Sequence, residues 1–193
     1  MRNFFIVLFT FFSLQLLAQQ SITIDATLNP AERTLVIQQQ ITYANTSEDM
    51  LNELYFFDWA NSFSSKTNIE KITNTSEAPL KWERGEAVDI LKVMLDKPLA
   101  PGESYTLNLH YSVKVPDDKF TRYGVDRNGN FKLRYWYISP AVYDGEWQVY
   151  SNKNTDDLFL TPSNFSISFH IPQEYQVVAD LDIISEKNGV ATK

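Results

Sequence analysis

The segment from Tyr105 to Val115 constrains the fold more than any other part of this sequence. Its odd-numbered positions are all large and apolar or aromatic, and its even-numbered positions are all polar. Six consecutive matches to a period of two are typical of a β-strand with one buried face, because successive side chains of a strand point to opposite sides. Each fully buried side chain of this size contributes about 1.5–3 kcal/mol. The inward face therefore fixes the register of the strand.

The same alternation continues through most of the chain. Ile22, Ile24, Ala26 and Leu28 alternate with polar neighbours, and no amphipathic helix of useful length is found. Strands are predicted at Ser21–Leu28, Thr34–Tyr43, Leu51–Phe57, Val88–Leu95, Tyr105–Val115, Phe120–Asp126, Phe131–Ile138, Phe165–Ile171 and Tyr175–Ile184. The sequence thus predicts an all-β protein, an antiparallel β-sandwich or large curved sheet, built as a single domain.

Two Asn-Gly dipeptides predict tight hairpin turns. Asn128–Gly129 separates two predicted strands, and a type I′ turn requires positive φ at both central positions, which Asn and Gly tolerate. Asn188–Gly189 follows the last predicted strand, and only four residues come after it. Because the returning strand is barely begun at Lys193, we expect a domain truncated at its C-terminal end.

The N-terminus has the composition of a targeting segment. Arg2 is followed by an apolar run from Phe4 to Leu17, and Ala18 precedes a polar stretch. This order is typical of a secretory signal peptide, so residues 1–18 are predicted to be a signal and residues 19–193 the β-domain. The expected location is periplasmic or secreted. The alternative is an uncleaved signal that anchors the chain to a membrane, although the run is shorter than the roughly 20 residues of a comfortable span.

Composition excludes several classes of function. Seventeen basic and 24 acidic residues give a formal charge of -7, which disfavours nucleic acid as a partner because phosphate binding needs clustered Lys and Arg. With no cysteine, the chain has no disulfide, thiol nucleophile or Cys-ligated metal. The only histidines, His110 and His170, lie in strand patterns, and we interpret both as exposed strand-face residues.

No motif in this segment predicts a catalytic or metal-ligating residue. The sequence has no G-x-S-x-G, P-loop, dinucleotide or H-E-x-x-H signature. Asp126, Asn128 and Asn130 resemble a calcium loop in spacing, but the Gly position and the closing Glu are absent, and a hairpin turn explains them better. The carboxylates available for acid–base chemistry are more simply explained as solvated loop acids: Glu83, Glu86, Asp89, Asp117 and Asp118.

An aromatic cluster is the strongest candidate for a binding surface. It lies around Pro140 and consists of Tyr135, Trp136, Tyr137, Tyr143, Trp147 and Tyr150. Such residues can stack on sugars or line a peptide cleft, because they combine a large apolar surface with a polar group. The simpler interpretation is that alternate residues of the predicted strand fill the core and the others close a sheet edge.

Several phrases, in order, resemble the N-terminal β-domain of the zinc gluzincin aminopeptidases, the membrane alanyl aminopeptidase family. In the first half these are Ser21–Ala26 through Asn29–Pro30, Ile41–Ser47, and Leu51–Phe56 followed by Ala60–Phe63. In the second half they are Leu99–Ser104 followed by Leu107, Leu109, Tyr111 and Pro116, then Trp136–Tyr137 with Pro140 and Tyr143–Asp144, and Phe165 to Val178 with Ile171–Pro172. The resemblance spans essentially all of the sequence after the signal segment.

The resemblance implies a saddle-like, non-catalytic β-domain of an exported zinc aminopeptidase that removes N-terminal residues from peptides. In that family zinc is held by H-E-x-x-H and a later Glu in a downstream catalytic domain, and a G-x-M-E-N loop grips the free amine. The implied partners are that domain, in the same chain, and a peptide substrate. No cofactor is expected in this segment, because its sequence holds none of these motifs.

The family resemblance also suggests where substrate would approach. In relatives the β-domain lends a Gln or Glu to the first substrate pocket, after a strand comparable to Phe131–Ile138. Here the neighbourhood reads Tyr135 to Pro140 and offers neither side chain, and Pro140 and Asp144 are one residue further apart than in the family pattern. Tyr137 and Tyr143 are the residues predicted to line the pocket. The alternative function is a free-standing secreted β-sandwich that binds glycans or peptides through its aromatic surface.

Overall fold

Two packed β-sheets and two short hairpins form the regular structure. It is described here from a computed structural model, which describes residues 20–63, 67–118, 123–152, 159–182, 185–187 and 190–192. The predicted signal segment, residues 1–18, lies outside these ranges. Fifteen strands are found in them: β1 Gln20–Asn29, β2 Thr34–Ala44, β3 Leu51–Phe57, β4 Thr67–Asn74, β5 Trp82–Arg84, β6 Ile90–Leu99, β7 Ser104–Lys114, β8 Gly124–Val125, β9 Phe131–Lys132, β10 Ser139–Pro140, β11 Val142–Tyr143, β12 Trp147–Gln148, β13 Ser163–His170, β14 Ser185–Lys187 and β15 Val190–Thr192.

The larger sheet has seven strands in the order β14-β15-β13-β1-β2-β7-β4, and the smaller has four in the order β10-β3-β6-β5. The pairs β8–β9 and β11–β12 form separate two-stranded hairpins. All strand pairs are antiparallel except β1 and β13, which run parallel. The prediction of an all-β fold built mainly from antiparallel strands is confirmed.

The core lies between the two sheets. One apolar cluster joins Ile24 and Tyr111 of the larger sheet to Phe56 and Leu91 of the smaller one. All six odd-numbered residues from Tyr105 to Val115 are buried, as the alternation predicts. The 3-10 helix Trp59–Phe63 follows β3, and no helix among the described residues is long and apolar enough to cross a membrane.

Strand β4 was not predicted, because its pattern is interrupted by a β-bulge. The register with β7 shifts between Ile69 and Lys71, so that Glu70 is an extra residue. Ile69 and Ile72 both point towards the core but are three residues apart in sequence. A period-two search does not find such a strand, because a bulge displaces every later side chain by one position.

Two predicted strands are largely wrong. Of Phe131–Ile138 only Phe131–Lys132 is a strand, because Tyr135 adopts a φ of 51°, outside the β region. Tyr175–Ile184 contains no strand in its described part, residues 175–182. It begins with a turn in which the Tyr175 amide donates a hydrogen bond to the Pro172 carbonyl.

The predicted strand Leu51–Phe57 is found with the same bounds, and the other strand predictions differ at the boundaries. Val88–Leu95 is shifted, since β6 runs from Ile90 to Leu99. The predicted strand Phe120–Asp126 is a strand only at Gly124–Val125, and residues 120–122 lie outside the described ranges.

Both Asn-Gly positions lie between paired strands. β8 and β9 pair through Val125 and Phe131, and Gly129 has a φ of 83°. Asp126 Oδ1 accepts hydrogen bonds from the amides of Asn128 and Asn130, and the Gly129 amide donates to the Asp126 carbonyl. A turn therefore forms at the predicted place, but it is not the predicted type I′, because Asn128 does not have the positive φ that this type requires. β14 and β15 pair around residues 188–189, which lie outside the described ranges.

Candidate functional site

The predicted aromatic surface lies in the segment from Tyr135 to Tyr150, which contains β10, β11 and β12. The structure distributes its side chains over three groups of rings, each built around one tryptophan: Trp147, Trp136 and Trp59. These groups hold an irregular segment against the two sheets. They define the candidate site.

Trp147 is the centre of the first group. The centroid of its ring lies 5.2 Å from that of Tyr143, 5.3 Å from Tyr55 and 5.8 Å from Tyr43. Tyr143 and Trp147 are paired across the β11–β12 hairpin, whose turn holds Gly145 at a φ of 72°. Because Tyr43 belongs to the larger sheet and Tyr55 to the smaller one, Trp147 attaches the hairpin to both.

Tyr143 carries a polar contact in addition to this packing. Its hydroxyl donates a hydrogen bond of 3.0 Å to Asp49 Oδ2. This hydrogen bond raises the pKa of Tyr143 above its usual range, and partial burial and the charge of Asp49 act in the same direction. The hydroxyl therefore stays protonated and remains a donor at neutral pH.

Tyr137 lies in the second group, around Trp136. The Trp136 ring is 5.3 Å from Phe169 and 5.5 Å from Tyr137, which in turn lies 5.6 Å from Phe165. Trp136 is only 7% exposed, and burial raises the pKa of Tyr137. Among the described residues no ring contact joins Tyr137 to Tyr143. The structure thus places the two predicted lining residues in different groups, and their role remains a prediction.

A buried polar triangle fixes the backbone next to Tyr137. The Tyr111 hydroxyl donates a hydrogen bond of 2.5 Å to Gln39 Oε1 and accepts one of 3.1 Å from the Ile138 amide. Gln39 Nε2 donates a bond of 2.7 Å to the Ile138 carbonyl. Both peptide groups of this non-strand residue are therefore satisfied by side chains of the larger sheet. Sequence reasoning missed Gln39, although its signal is visible: it interrupts the inward apolar row of Ile37 and Ile41.

Trp59, in the 3-10 helix, is the centre of the third group. Its ring lies 5.1 Å from Tyr135, 6.0 Å from Phe57 and 6.3 Å from Tyr150. Tyr135 has a positive φ, which is rare for an aromatic residue, and the Arg134 guanidinium lies 4.7 Å from its ring centroid. A strained residue persists where its surroundings over-determine it, and here these packed rings hold it.

Beside Trp59 a buried ion pair connects three parts of the chain. Asp58 is 1% exposed, and its carboxylate accepts bonds of 2.6 Å from Arg84 Nη1 and 2.7 Å from Thr67 Oγ1. Burial raises the pKa of Asp58, while Arg84 and Thr67 lower it. The pair fixes the 3-10 helix to β4 and β5.

The interpretation of the candidate carboxylates as solvated loop acids is wrong for Asp89. It is fully buried, and its Oδ2 accepts bonds from Ser151 Oγ at 3.0 Å and from the Asn152 amide at 2.8 Å. Of the other four, Glu83 and Glu86 are exposed, Asp117 pairs with Arg33, and Asp118 pairs with Lys132. Asp89 therefore positions the end of the aromatic segment.

Neither histidine belongs to a metal cluster of the described residues. His110 Nδ1 lies 3.2 Å from Glu70 Oε2, and His170 Nε2 lies 2.9 Å from Asp25 Oδ2, both on the outer face of the larger sheet. Both side chains are 40% exposed, as predicted for strand-face histidines. Within the described ranges no three His, Asp or Glu side chains converge to hold a metal ion.

Comparison with known proteins gives a match in structure only. No family model matches the sequence, and no curated protein matches it. The M1 zinc metallopeptidase from Deinococcus radiodurans has a TM-score of 0.54 at 15% identity, covering 90% of this chain and 38% of that one. A mutant of that peptidase bound to a Tyr-Ser-Ala substrate has a TM-score of 0.53 at 14% identity and the same coverage.

A third structure, a two-domain M1 zinc metallopeptidase mutant bound to L-arginine, has a TM-score of 0.54 at 15% identity. This chain thus spans well under half the length of the solved peptidases that it matches. The family resemblance of the sequence motifs is matched by a likeness in three dimensions, and the chain has the fold of one part of the M1 zinc metallopeptidases.

Proposed function

We propose that this chain is the non-catalytic, N-terminal β-domain of an exported zinc-dependent metallo-aminopeptidase that removes N-terminal residues from peptides. One observation carries the proposal: 90% of the chain superposes on 38% of M1 zinc metallopeptidase structures. The order of the family-like phrases in the sequence supports it independently. One of them, Leu99–Ser104, forms the turn between β6 and β7, where Gly102 has a φ of 76°.

In this proposal zinc and the catalytic groups belong to a further domain of the same polypeptide. The two histidines described above pair with carboxylates on the outer face of the larger sheet. This segment would bind the peptide substrate and orient it. Its second partner would be the catalytic domain. Export rests on the apolar segment at residues 1–18.

The β-domain would form one wall of the substrate cleft. Tyr137 and Tyr143 are proposed to face the peptide, since each combines a ring fixed by neighbouring aromatics with a protonated hydroxyl. The triangle of Gln39, Tyr111 and Ile138 would keep this wall rigid. A free-standing aromatic binding platform has less support, because Trp136 and Trp59 are buried among other rings of the chain.

The first test is to read the encoding gene beyond the Lys193 codon. We expect the reading frame to continue into H-E-x-x-H and G-x-M-E-N. The full-length product should hydrolyse alanyl-p-nitroanilide in a chelator-sensitive way, and the 193-residue chain should not. A stop codon directly after Lys193, or chelator-sensitive hydrolysis by the 193-residue chain itself, would contradict the proposal.

The lining residues are tested in the same full-length product. Tyr143→Ala is expected to raise KM for peptides by removing a substrate contact. Trp82→Ala is the control, because β5 is the edge strand of the smaller sheet opposite β10. Equal KM values for both variants would remove Tyr143 from the pocket and leave the domain assignment intact.

A further inference from the structure

The outer face of the larger sheet carries a shallow groove of about 460 Å3 that the peptidase proposal does not use. We call it the polar groove. Its floor consists of two neighbouring rows of side chains, and each row crosses β1, β2, β7 and β4. The first row is Thr23, Gln40, Asn108 and Thr73, and the second is Asp25, Gln38, His110 and Lys71.

The register of the sheet sets the spacing of these groups. Gln40 pairs with both Thr23 and Asn108, and Gln38 pairs with both Asp25 and His110. Neighbouring strands are about 4.8 Å apart, so each row spans roughly 14 Å. That length suits an elongated ligand that lies across the strands.

One end of the polar groove is closed by a rigid turn. Asn74 Oδ1 accepts hydrogen bonds from the amides of Ser76 and Ala78, and the Glu77 amide donates to the Asn74 carbonyl. Glu77 has a φ of 60° and lines the groove. The turn thus forms one side of the groove beside β4. The β-bulge at Glu70 bends the same edge strand.

The polar groove is rich in neutral hydrogen-bonding groups. The first row contains only hydroxyl and amide side chains, and Gln40 Nε2 donates a bond of 3.0 Å to Asn108 Oδ1. Amides and hydroxyls both donate and accept hydrogen bonds, as the hydroxyls of a sugar do. Gln38 is exposed, and its side-chain amide has no hydrogen-bond partner among the described residues. It is thus available to a ligand.

The charges around the polar groove disfavour an ionic ligand. Of the charged side chains that line the groove or contact His110, Asp25, Glu70 and Glu77 contribute -3 and Lys71 contributes +1, so the sum is -2 with histidine counted as neutral. The whole chain is also acidic, at -7. Anionic ligands are therefore repelled, and no concentrated negative charge attracts cations.

We propose that the polar groove binds a neutral oligosaccharide. The side-chain amides of Gln38, Gln40 and Asn108 exchange hydrogen bonds with ring hydroxyls, and Thr23 flanks them on β1. Thr73, at the other end of the first row, is only 2% exposed and does not contact the ligand. No Trp, Tyr or Phe among the described residues lines the groove, so binding is weak and dominated by hydrogen bonds. This site is separate from the aromatic groups, and it does not depend on the peptidase assignment.

Ligand binding to the polar groove can be followed through the histidine signals in NMR, because the chain has only two histidines. The imidazole proton signals of His110, which lines the groove, are followed by NMR as cellohexaose, maltohexaose, chitohexaose or mannohexaose is added. The variant His170→Gln leaves a single histidine and so assigns the signals. We expect saturable shifts of the His110 signals with at least one of these neutral hexasaccharides and none with a heparin hexasaccharide.

Variants then locate the site. Gln38→Ala removes an exposed side chain that makes no hydrogen bond to the described part of the protein, so the fold is retained. It is expected to weaken binding about tenfold, as the loss of one or two hydrogen bonds predicts. Ser112→Ala, on the same face of β7 but outside the groove, is the matched control and should leave binding unchanged. The absence of saturable shifts with all four neutral sugars would overturn the proposal, and so would equal binding by both variants.

Discussion

The Tyr111 hydroxyl donates a hydrogen bond of 2.5 Å to Gln39 Oε1 in the fully buried core, where two neighbouring strands of the larger sheet face the segment that carries Tyr137. Burial raises the pKa of Tyr111 far above its usual range, so this hydroxyl stays a donor at any physiological pH. Through Ile138 the pair holds an irregular backbone segment in place without a strand partner.

Removing Gln39 should therefore destabilise the protein far more than removing its sequence neighbour. Gln39→Leu leaves the Tyr111 hydroxyl and the Ile138 carbonyl buried without their partner, which costs about 1–3 kcal/mol. Gln38→Leu, on the exposed face of the same strand, should change the free energy of unfolding by no more than about 0.5 kcal/mol. Urea unfolding followed by circular dichroism measures both. Equal midpoints for the two variants would show that the triangle does not stabilise the fold.

Alternation alone was enough to predict the framework, because β1, β2 and β7 each bury one complete face. It was not enough for the candidate site. The backbone of Tyr135 lies outside the β region, and Ile138 is held by side chains from strands that are far away in sequence. A local sequence pattern therefore does not show that the regular hydrogen bonds of a strand are missing here. The wrongly predicted strand Phe131–Ile138 is therefore the segment in which tertiary contacts override local propensity.

The burial of Asp89 illustrates the same limit. A sequence search sees a carboxylate near the start of the predicted strand Val88–Leu95 and predicts a solvated side chain. The partners that permit its burial, Ser151 and the Asn152 amide, lie 62 and 63 residues away. Long-range hydrogen bonds of this kind become visible only in three dimensions.

The buried pair of Arg84 and Asp58 gives a prediction that depends on pH. Arg84→Met leaves Asp58 without its cation, which costs about 3–5 kcal/mol at neutral pH. Burial already raises the pKa of Asp58, and loss of Arg84 raises it further. A carboxyl whose folded-state pKa is raised loses stability as pH rises from its ordinary pKa of about 3.9 through the raised value. The effect of Arg84→Met should therefore be largest near neutral pH and shrink towards about pH 4.

Lys92→Met is the matched control for this prediction. Lys92 Nζ lies 2.9 Å from Glu53 Oε2, but both side chains are partly exposed, at 24% and 34%. Ion pairs in contact with solvent contribute about 0–1 kcal/mol. Thermal unfolding of both variants across this pH range separates the two cases. A large effect of Arg84→Met that stays constant with pH would show that Asp58 is not the titrating group.

Asp96 leads to the opposite dependence on pH. Its carboxylate accepts hydrogen bonds from the Tyr105 hydroxyl at 2.8 Å and from Asn74 Nδ2 at 2.6 Å, and these bonds lower its pKa. A lowered pKa contributes stability above the ordinary pKa of about 3.9, and this contribution is lost as pH falls through the folded-state value. Tyr105→Phe removes the hydrogen bond that lowers the pKa of Asp96 most. We expect its acid unfolding curve to fall less steeply than that of the unmodified chain.

Tyr137→Phe is the control for Tyr105→Phe, because the Tyr137 hydroxyl makes no hydrogen bond with the described residues. Its acid unfolding curve should be parallel to that of the unmodified chain. If Tyr105→Phe also gave a parallel curve, the hydrogen bond to Asp96 would not be the source of the lowered pKa.

Trp147 should behave as a structural anchor of the candidate site. Its ring contacts Tyr43 of the larger sheet, Tyr55 of the smaller sheet and Tyr143 of its own hairpin. Trp147→Ala should lower the free energy of unfolding by at least about 2 kcal/mol. Since the ring is half-buried, the loss should be smaller than the roughly 3–5 kcal/mol expected for a fully buried tryptophan. Trp82→Ala, on the edge strand β5 where the residue is 37% exposed, should cost less than about 1 kcal/mol. Urea unfolding compares the two variants directly, and a smaller loss for Trp147→Ala than for Trp82→Ala would mean that the hairpin is not held by this ring.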